Sequence, residues 1–99
     1  MKYQNHTINY IKNSIDALEF YRHQLPNAPL KTRGWNDGGL CPFHADKSPG
    51  SFQVNTEHGA FVCFACGTKG GDIVAFSMVK DGLRFPDAIT KLADDWGLL

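Results

Sequence analysis

Three cysteines and one histidine of this chain fall into two pairs with the same internal spacing. Cys41-Pro42-Phe43-His44 sets a thiol and an imidazole three positions apart, and Cys63-Phe64-Ala65-Cys66 repeats that spacing with two thiols after 18 intervening residues. As a disulfide framework the set is poor, because an odd count leaves one thiol over and the Cys63/Cys66 loop encloses almost nothing. As a metal site it is good. Zinc has no ligand-field preference and accepts tetrahedral sulfur and nitrogen donors, and a tight turn at the end of a hairpin aims two such side chains at a point about 2.3 Å away. Two such knuckles complete a tetrahedron from Cys41, His44, Cys63 and Cys66. Four protein donors leave no coordination position for water or substrate, so one structural zinc is expected rather than a hydrolytic centre. His6, His23 and His58 have no partner at ligand spacing and read as solvated polar residues.

A structural ion matters for a chain of this size. With 99 residues the protein is expected to be a single domain burying roughly 60–70% of the surface its unfolded form exposes, so a staple adds materially to stability. Zinc binding in small finger peptides is worth about 10–16 kcal/mol, comparable to the whole stability of a domain. Composition is ordinary for a globular protein at 42% hydrophobic residues, which excludes intrinsic disorder. Ten basic and ten acidic residues cancel, which argues against a protein that coats polyanions by bulk charge; any nucleic-acid contact must be local. The longest apolar run, Ala60 to Cys66, is far short of a membrane span, and the N-terminus lacks the apolar core of a signal peptide. A soluble, cytoplasmic protein without a membrane partner is expected.

The elements that position the knuckles can be read from periodicity. Residues 1–27 form an N-terminal helical segment: Ile8, Ile11, Ile15 and Leu18 recur at spacings of three and four, Thr7 or Asn5 can cap the start, and Pro26 prevents continuation. Ser14 could cap a second helix, so one long helix or two short ones are both open. In residues 28–99 the texture changes first to short strands and turns, with turn chemistry at Asp37-Gly38-Gly39 and Asp46-Lys47-Ser48-Pro49-Gly50. Ser51 to Asn55 and Ala60 to Phe64 predict a hairpin through Thr56-Glu57-His58-Gly59. That pairing sets Phe52, Val54, Phe61 and Cys63 on one face and Ser51, Gln53, Asn55, Val62 and Phe64 on the other. Gly67 to Gly71 reads as a glycine-rich turn without the lysine-serine/threonine pair of a phosphate loop or the Gly-x-Gly-x-x-Gly of a dinucleotide fold. Asp72 is a good N-cap for a helix through Ile73, Phe76 and Val79 that stops near Gly82. A final helix opens at Pro86, carries Ala88, Ile89, Leu92, Ala93 and Trp96 as its apolar stripe, and ends at Gly97.

Charge and aromatic placement suggest a local polyanion surface. Between Phe20 and Asn36 stand Arg22, Lys31 and Arg33 with no acidic residue, and Lys47 and Lys69 flank the knuckles. Trp35, Phe43, Phe52, Phe61 and Phe64 are candidate faces for stacking bases. A small domain needs its large side chains inside, so Phe52 and Phe61 are expected in the core, with Trp35 and Phe64 open to either role. Asp94 and Asp95 read as solvated helix charges.

The text around the ligands closely resembles the zinc-binding domain of bacterial DNA primases. The resemblance is carried by Gly39-Leu40-Cys41-Pro42-Phe43-His44-Ala45-Asp46-Lys47-Ser48-Pro49, by Ser51-Phe52-x-Val54 and by Cys63-Phe64-Ala65-Cys66-Gly67, and it extends over roughly residues 30 to 97. It implies an α+β zinc ribbon, a small antiparallel β-sheet flanked by N- and C-terminal helices. It also implies that the domain binds single-stranded DNA template, that Cys41, His44, Cys63 and Cys66 are the zinc ligands, and that Lys31, Arg33 and Lys47 match basic positions. Gly50 is an extra residue relative to the usual family pattern, the turn at Thr68-Lys69-Gly70-Gly71 is one residue longer, and Asp37 stands where an aromatic is common. The chain ends at Leu99, before any Toprim catalytic domain, so the expectation is a non-catalytic, stand-alone module of a plasmid, phage or integrated element. Lys31, Arg33, Trp35, Lys47, Phe64 and Lys69 are the expected DNA contacts. Working in trans, the module would serve a separate primase catalytic subunit, polymerase or helicase; the alternative is an adaptor that docks such a protein and leaves DNA alone.

Overall fold

The computed structural model describes residues 3–45 and 47–98. Helices α1 (Asn5–Ser14) and α2 (Ala17–Gln24) precede strands β1 (Trp35–Asp37), β2 (Phe52–Asn55), β3 (Phe61–Cys63) and β4 (Lys69–Gly70), and helices α3 (Ile73–Asp81) and α4 (Phe85–Asp95) follow. The strands form one antiparallel sheet in the order β1-β2-β3-β4.

The central hairpin has the expected register, with Phe52 opposite Cys63, Gln53 opposite Val62 and Val54 opposite Phe61. Its inner face is fully buried, whereas on its outer face Gln53 and Val62 are partly exposed, Phe64 is exposed and Asn55 is buried. Asn55 departs from the expected alternation: its Oδ1 accepts from the Glu57 and His58 backbone amides at 2.9 and 3.1 Å, which ties it into the turn. Two turn expectations are corrected. Lys69 and Gly70 are a strand, because they pair with Val62 and Phe61. Asp37 is the last residue of β1, although its Oδ1 accepts from Gly39 N at 2.8 Å and so begins the turn that follows. Of the turn expected at Asp46 to Gly50, Asp46 lies outside the described residues.

Two N-terminal helices are present rather than one. Ile15 is extended, and the chain bends there so that Ile8 and Ile11 from α1 and Phe20 and Tyr21 from α2 all reach the core. The caps differ from expectation. Gln4, not Asn5 or Thr7, occupies the α1 cap position and makes no side-chain cap bond, while Asp16, not Ser14, caps α2 by accepting from Glu19 N at 3.2 Å. The core is aromatic. Phe76 of α3 meets Phe20, Tyr21, Phe43 and Phe61 with ring centroids 5.2–5.6 Å apart, and Phe43 also packs against Phe52 at 5.8 Å. Phe43 is therefore partly buried and packs against the core with Phe52 and Phe61 rather than standing free as a stacking face.

The turn of the hairpin is locked to both helical layers. The buried Tyr21 hydroxyl donates to Gly59 O at 2.6 Å, and burial pushes that phenol far above its usual range. Gly59 has φ +87°, and a Cβ there would meet Ile73 Cγ2 at 2.9 Å, so both conformation and space require glycine. Asp72 caps α3 as expected, accepting from Ala75 N at 2.8 Å, and it also meets Lys12 of α1 at 2.9 Å. Burial alone raises the Asp72 carboxyl pKa, but the Lys12 ammonium and the capping amides outweigh it and hold the group below its usual range. Helix α3 ends at Gly82 in the left-handed region, and Val79, expected on its apolar face, is exposed. Helix α4 buries Ala88, Ile89, Leu92 and Ala93 as expected, with Pro86 in its first turn, and half-buried Trp96 stands edge-on to His23 at 5.4 Å. Asp95 is paired with Lys91 at 2.8 Å. Among the described residues no helix is long and apolar enough to cross a membrane.

Asp72→Ala removes a cap and an inter-helix ion pair together. It is expected to lower stability by about 1–2 kcal/mol in urea unfolding of the zinc-loaded protein, with Asp72→Asn, a good cap without charge, losing much less.

Candidate metal centre and nucleic-acid interface

Each knuckle is built by a short backbone turn. Cys41 is buried in the loop after β1, and Phe43 N lies 3.4 Å from its sulfur, an N–H···S contact that holds the loop around the thiol. Cys63 is the last residue of β3. The chain then turns so that Gly67 N donates to Cys63 O and Cys63 N to Thr68 O, both at 2.8 Å. Gly67 at φ +81° supplies the left-handed step that this turn needs.

The two knuckles face each other. The ligand atoms of Cys41, His44, Cys63 and Cys66 all lie within 4.8 Å of one another, with Cys41 Sγ 3.9 Å from Cys66 Sγ and Cys63 Sγ 4.0 Å from His44 Nδ1. A tetrahedron with arms of 2.3 Å has edges of ~3.8 Å, so the spacing of the set fits zinc and is far too open for a disulfide. The Thr68 hydroxyl, 3.2 Å from Cys66 Sγ, brings that thiol down to about 6, while burial pushes the Cys41 thiol up to about 12. Thiols this close oppose one another's ionisation, and a divalent cation at their centre removes the conflict. His6, His23 and His58 are exposed and stand outside the cluster, as expected.

The expected nucleic-acid residues divide into two groups. Trp35 and Phe64 are 54% and 74% exposed and, with Gly50, Gln53 and Val62, line one shallow cavity of about 400 Å³ on the outer face of the sheet. Lys69 joins them by register, directly opposite Val62 and exposed. Lys31, Arg33 and Lys47 are exposed on loops away from that cavity. The acid-free segment is also less cationic than it reads. Arg33 pairs with Asp16 at 2.6 Å and Arg22 with Glu19 at 2.9 Å, both acids coming from the start of α2. The Arg33 guanidinium in turn holds the Asp16 carboxyl below its usual range. Gln53 and Val62 were not among the expected contacts, although the predicted hairpin alternation already placed them on this face.

A buried polar pair holds the loop that carries Lys31, Arg33 and Trp35. Asn36 Oδ1 accepts from the Lys31 and Thr32 amides at 3.1 and 3.4 Å, and its Nδ2 donates to Thr32 O and Gly34 O at 2.8 and 3.0 Å. The Thr56 hydroxyl donates to Thr32 O at 2.7 Å. Asn36→Leu orphans these groups and is expected to lower stability by about 1–3 kcal/mol. Amide hydrogen exchange should accelerate most at Lys31 and Thr32.

This geometry has known counterparts. The chain is 41% identical to the DNA primase of Listeria monocytogenes over 87 residues, 88% of this chain and 13% of that protein. It is 47% identical to the DNA primase of Borreliella burgdorferi over 98 residues, covering 99% of this chain and 18% of the relative. It thus spans less than a fifth of the length of these relatives. Among solved structures it is similar to the zinc-binding and RNA polymerase domains of the Aquifex aeolicus primase, with a TM-score of 0.74, 30% identity, and coverage of 92% of this chain and 21% of that one. The expected α+β zinc ribbon is therefore the fold, and the donor set fits one structural zinc. Residues 3–99 match the CHC2 zinc finger family, and the chain belongs to it.

Proposed function

We propose that this chain is a non-catalytic, zinc-stabilised module that binds single-stranded DNA template and contributes template recognition in trans to a separate primase catalytic subunit, polymerase or helicase. In this reading Cys41, His44, Cys63 and Cys66 hold the ion, which supplies cross-linking of the two knuckles and no chemistry on a substrate. The observation that carries the reading is the outer face of the sheet, where two exposed aromatics flank one cavity with a lysine beside it. Aromatic faces stack bases without regard to sequence, and nearby lysines neutralise phosphate. Lys31 and Lys47 extend the positive surface beyond the sheet, and Arg33 joins it when phosphate displaces Asp16. The relatives named DNA primase support the same substrate class.

A second reading has its own observation. A groove of about 490 Å³ lined by Leu25, Pro26, Ala28, Pro29, Leu40 and Pro42 among others lies between α2 and the first knuckle, with Leu40 exposed. Such a groove suits the adaptor role, and the two roles are compatible because they use different faces.

Two measurements test the proposal. Removing zinc with a chelator should unfold the region around the knuckles cooperatively, and Cys41→Ser or Cys63→Ser should abolish stoichiometric zinc. Because thiols must lose protons to bind, apparent zinc affinity should fall as pH falls; metal-free protein that keeps its fold would overturn the assignment. For DNA, a single-strand titration at two salt concentrations should show affinity falling with salt. Phe64→Ala and Trp35→Ala should each weaken binding roughly tenfold, and neutralising Lys31, Lys47 and Lys69 should flatten the salt slope. Binding that ignores salt and survives these changes would leave the adaptor reading in its place.

A further inference from the structure

The outer face of the sheet carries a row of four side chains in direct register. Asp37 of β1 is opposite Gln53 of β2, Gln53 is opposite Val62 of β3, and Val62 is opposite Lys69 of β4. Residues directly opposite in antiparallel strands share a face, so the row runs from a carboxylate at one edge, through an amide and an apolar floor, to an ammonium at the other. Trp35 and Phe64 flank its middle, and the cavity they line with Gln53 and Val62 has room for a nucleobase.

Gln53 is the polar side chain of that cavity, and one hydrogen bond orients its amide. One end of its amide lies 3.2 Å from Gly50 O. A carbonyl oxygen only accepts, so the atom facing it is Nε2, which spends one of its two N–H groups there, and Oε1 has no hydrogen-bond partner among the described residues. Gly50 lies in the loop just before β2 and also lines the cavity, so that loop positions the amide. The next group in the row, Asp37, is also an acceptor, and its Oδ1 already takes the Gly39 amide.

We infer that Gln53 is a base-reading residue, which with Asp37 presents hydrogen-bond acceptors to the edge of a base held in the cavity that Trp35 and Phe64 line and so selects amino-bearing bases over those with a carbonyl at the same position. The inference rests on the single-strand reading above and deepens it. Charge sets the orientation. Lys69 attracts the phosphate and Asp37 repels it, so the nucleotide lies with its backbone toward β4 and its base edge toward β2. The two columns are two inter-strand steps apart, ~10 Å, comparable to the span of one nucleotide from phosphate to base edge. Cytosine turns its N4 amino donor to Gln53 Oε1. Uracil or thymine turns its O4 there instead, and two acceptors face each other without a proton between them.

The test uses the full zinc-loaded chain and two probes that differ at that position but not in ring size, oligodeoxycytidine and oligodeoxyuridine of equal length at neutral pH, followed by fluorescence anisotropy. Wild type should bind the cytidine strand about three- to tenfold more tightly. Gln53→Leu should bring the two affinities together, and Gln53→Glu, which keeps an acceptor, should retain the preference even where its charge weakens both. Zinc content and thermal unfolding of each variant report its fold independently of DNA. Equal binding of both strands by wild type, tighter binding of the uridine strand, or an unchanged preference in a folded Gln53→Leu would overturn the inference while leaving the single-strand reading intact. Absence of binding to either strand would overturn both.

Discussion

The convergence of two knuckles that come from different parts of the chain constrains everything else. The second is secured by the sheet, since Cys63 ends β3 and the turn to Cys66 folds back into β4. The first stands in a long excursion between β1 and β2 in which no helix or strand occurs among the described residues. Two things hold that excursion: the buried Cys41 thiol facing its partners, and the Phe43 ring set among Phe52, Phe61 and Phe76. Metal site and aromatic core are thus one structure, with Phe43 as the shared residue. A zinc term of about 10–16 kcal/mol is as large as the net stability of a domain this size, so the fold of the excursion and the binding of the ion are the same event.

A four-stranded sheet of such short strands can serve as core and as surface because each strand alternates. The inner face is closed by helices on a continuous set of rings. On the outer face the protein leaves Trp35 and Phe64 in water, although burying one such side chain is worth about 1.5–3 kcal/mol. Single exposed apolar residues are common and carry no message. Two aromatics around a common cavity, with an amide in the middle and a lysine at the rim, form an arrangement that core packing does not require.

The neutral total charge also acquires a structure. Arg22 and Arg33 are satisfied by acids at the start of α2, whereas no described acidic residue pairs with Lys31, Lys47 or Lys69. Exposed pairs of this kind are weak, so Arg33 is held rather than consumed, and a phosphate can compete for it. Lys69 thus brings an unpaired positive charge to the β4 edge of the outer face, and Lys31 and Lys47 bring theirs to loops beyond it, without any excess in the composition.

Much of this was legible in the residues alone, for a physical reason. Ligand spacing, the hairpin from Phe52 to Cys63, the Asp72 cap, the Gly82 stop and the α4 stripe all depend on interactions over a few residues, and such interactions leave their period or their cap in the text. Tertiary packing decided the remainder. Whether α1 and α2 are one helix or two depended on where Phe20 and Tyr21 find the core. Whether Phe43 stacks on DNA or on Phe76 depended on the path of an irregular loop. The fate of Arg33 depended on an acid 17 residues away, and the turn at Lys69 became a strand because β3 offered it an unpaired edge. Each of these is a contact between segments with no fixed sequence separation, so the local pattern cannot encode it and only the folded chain chooses.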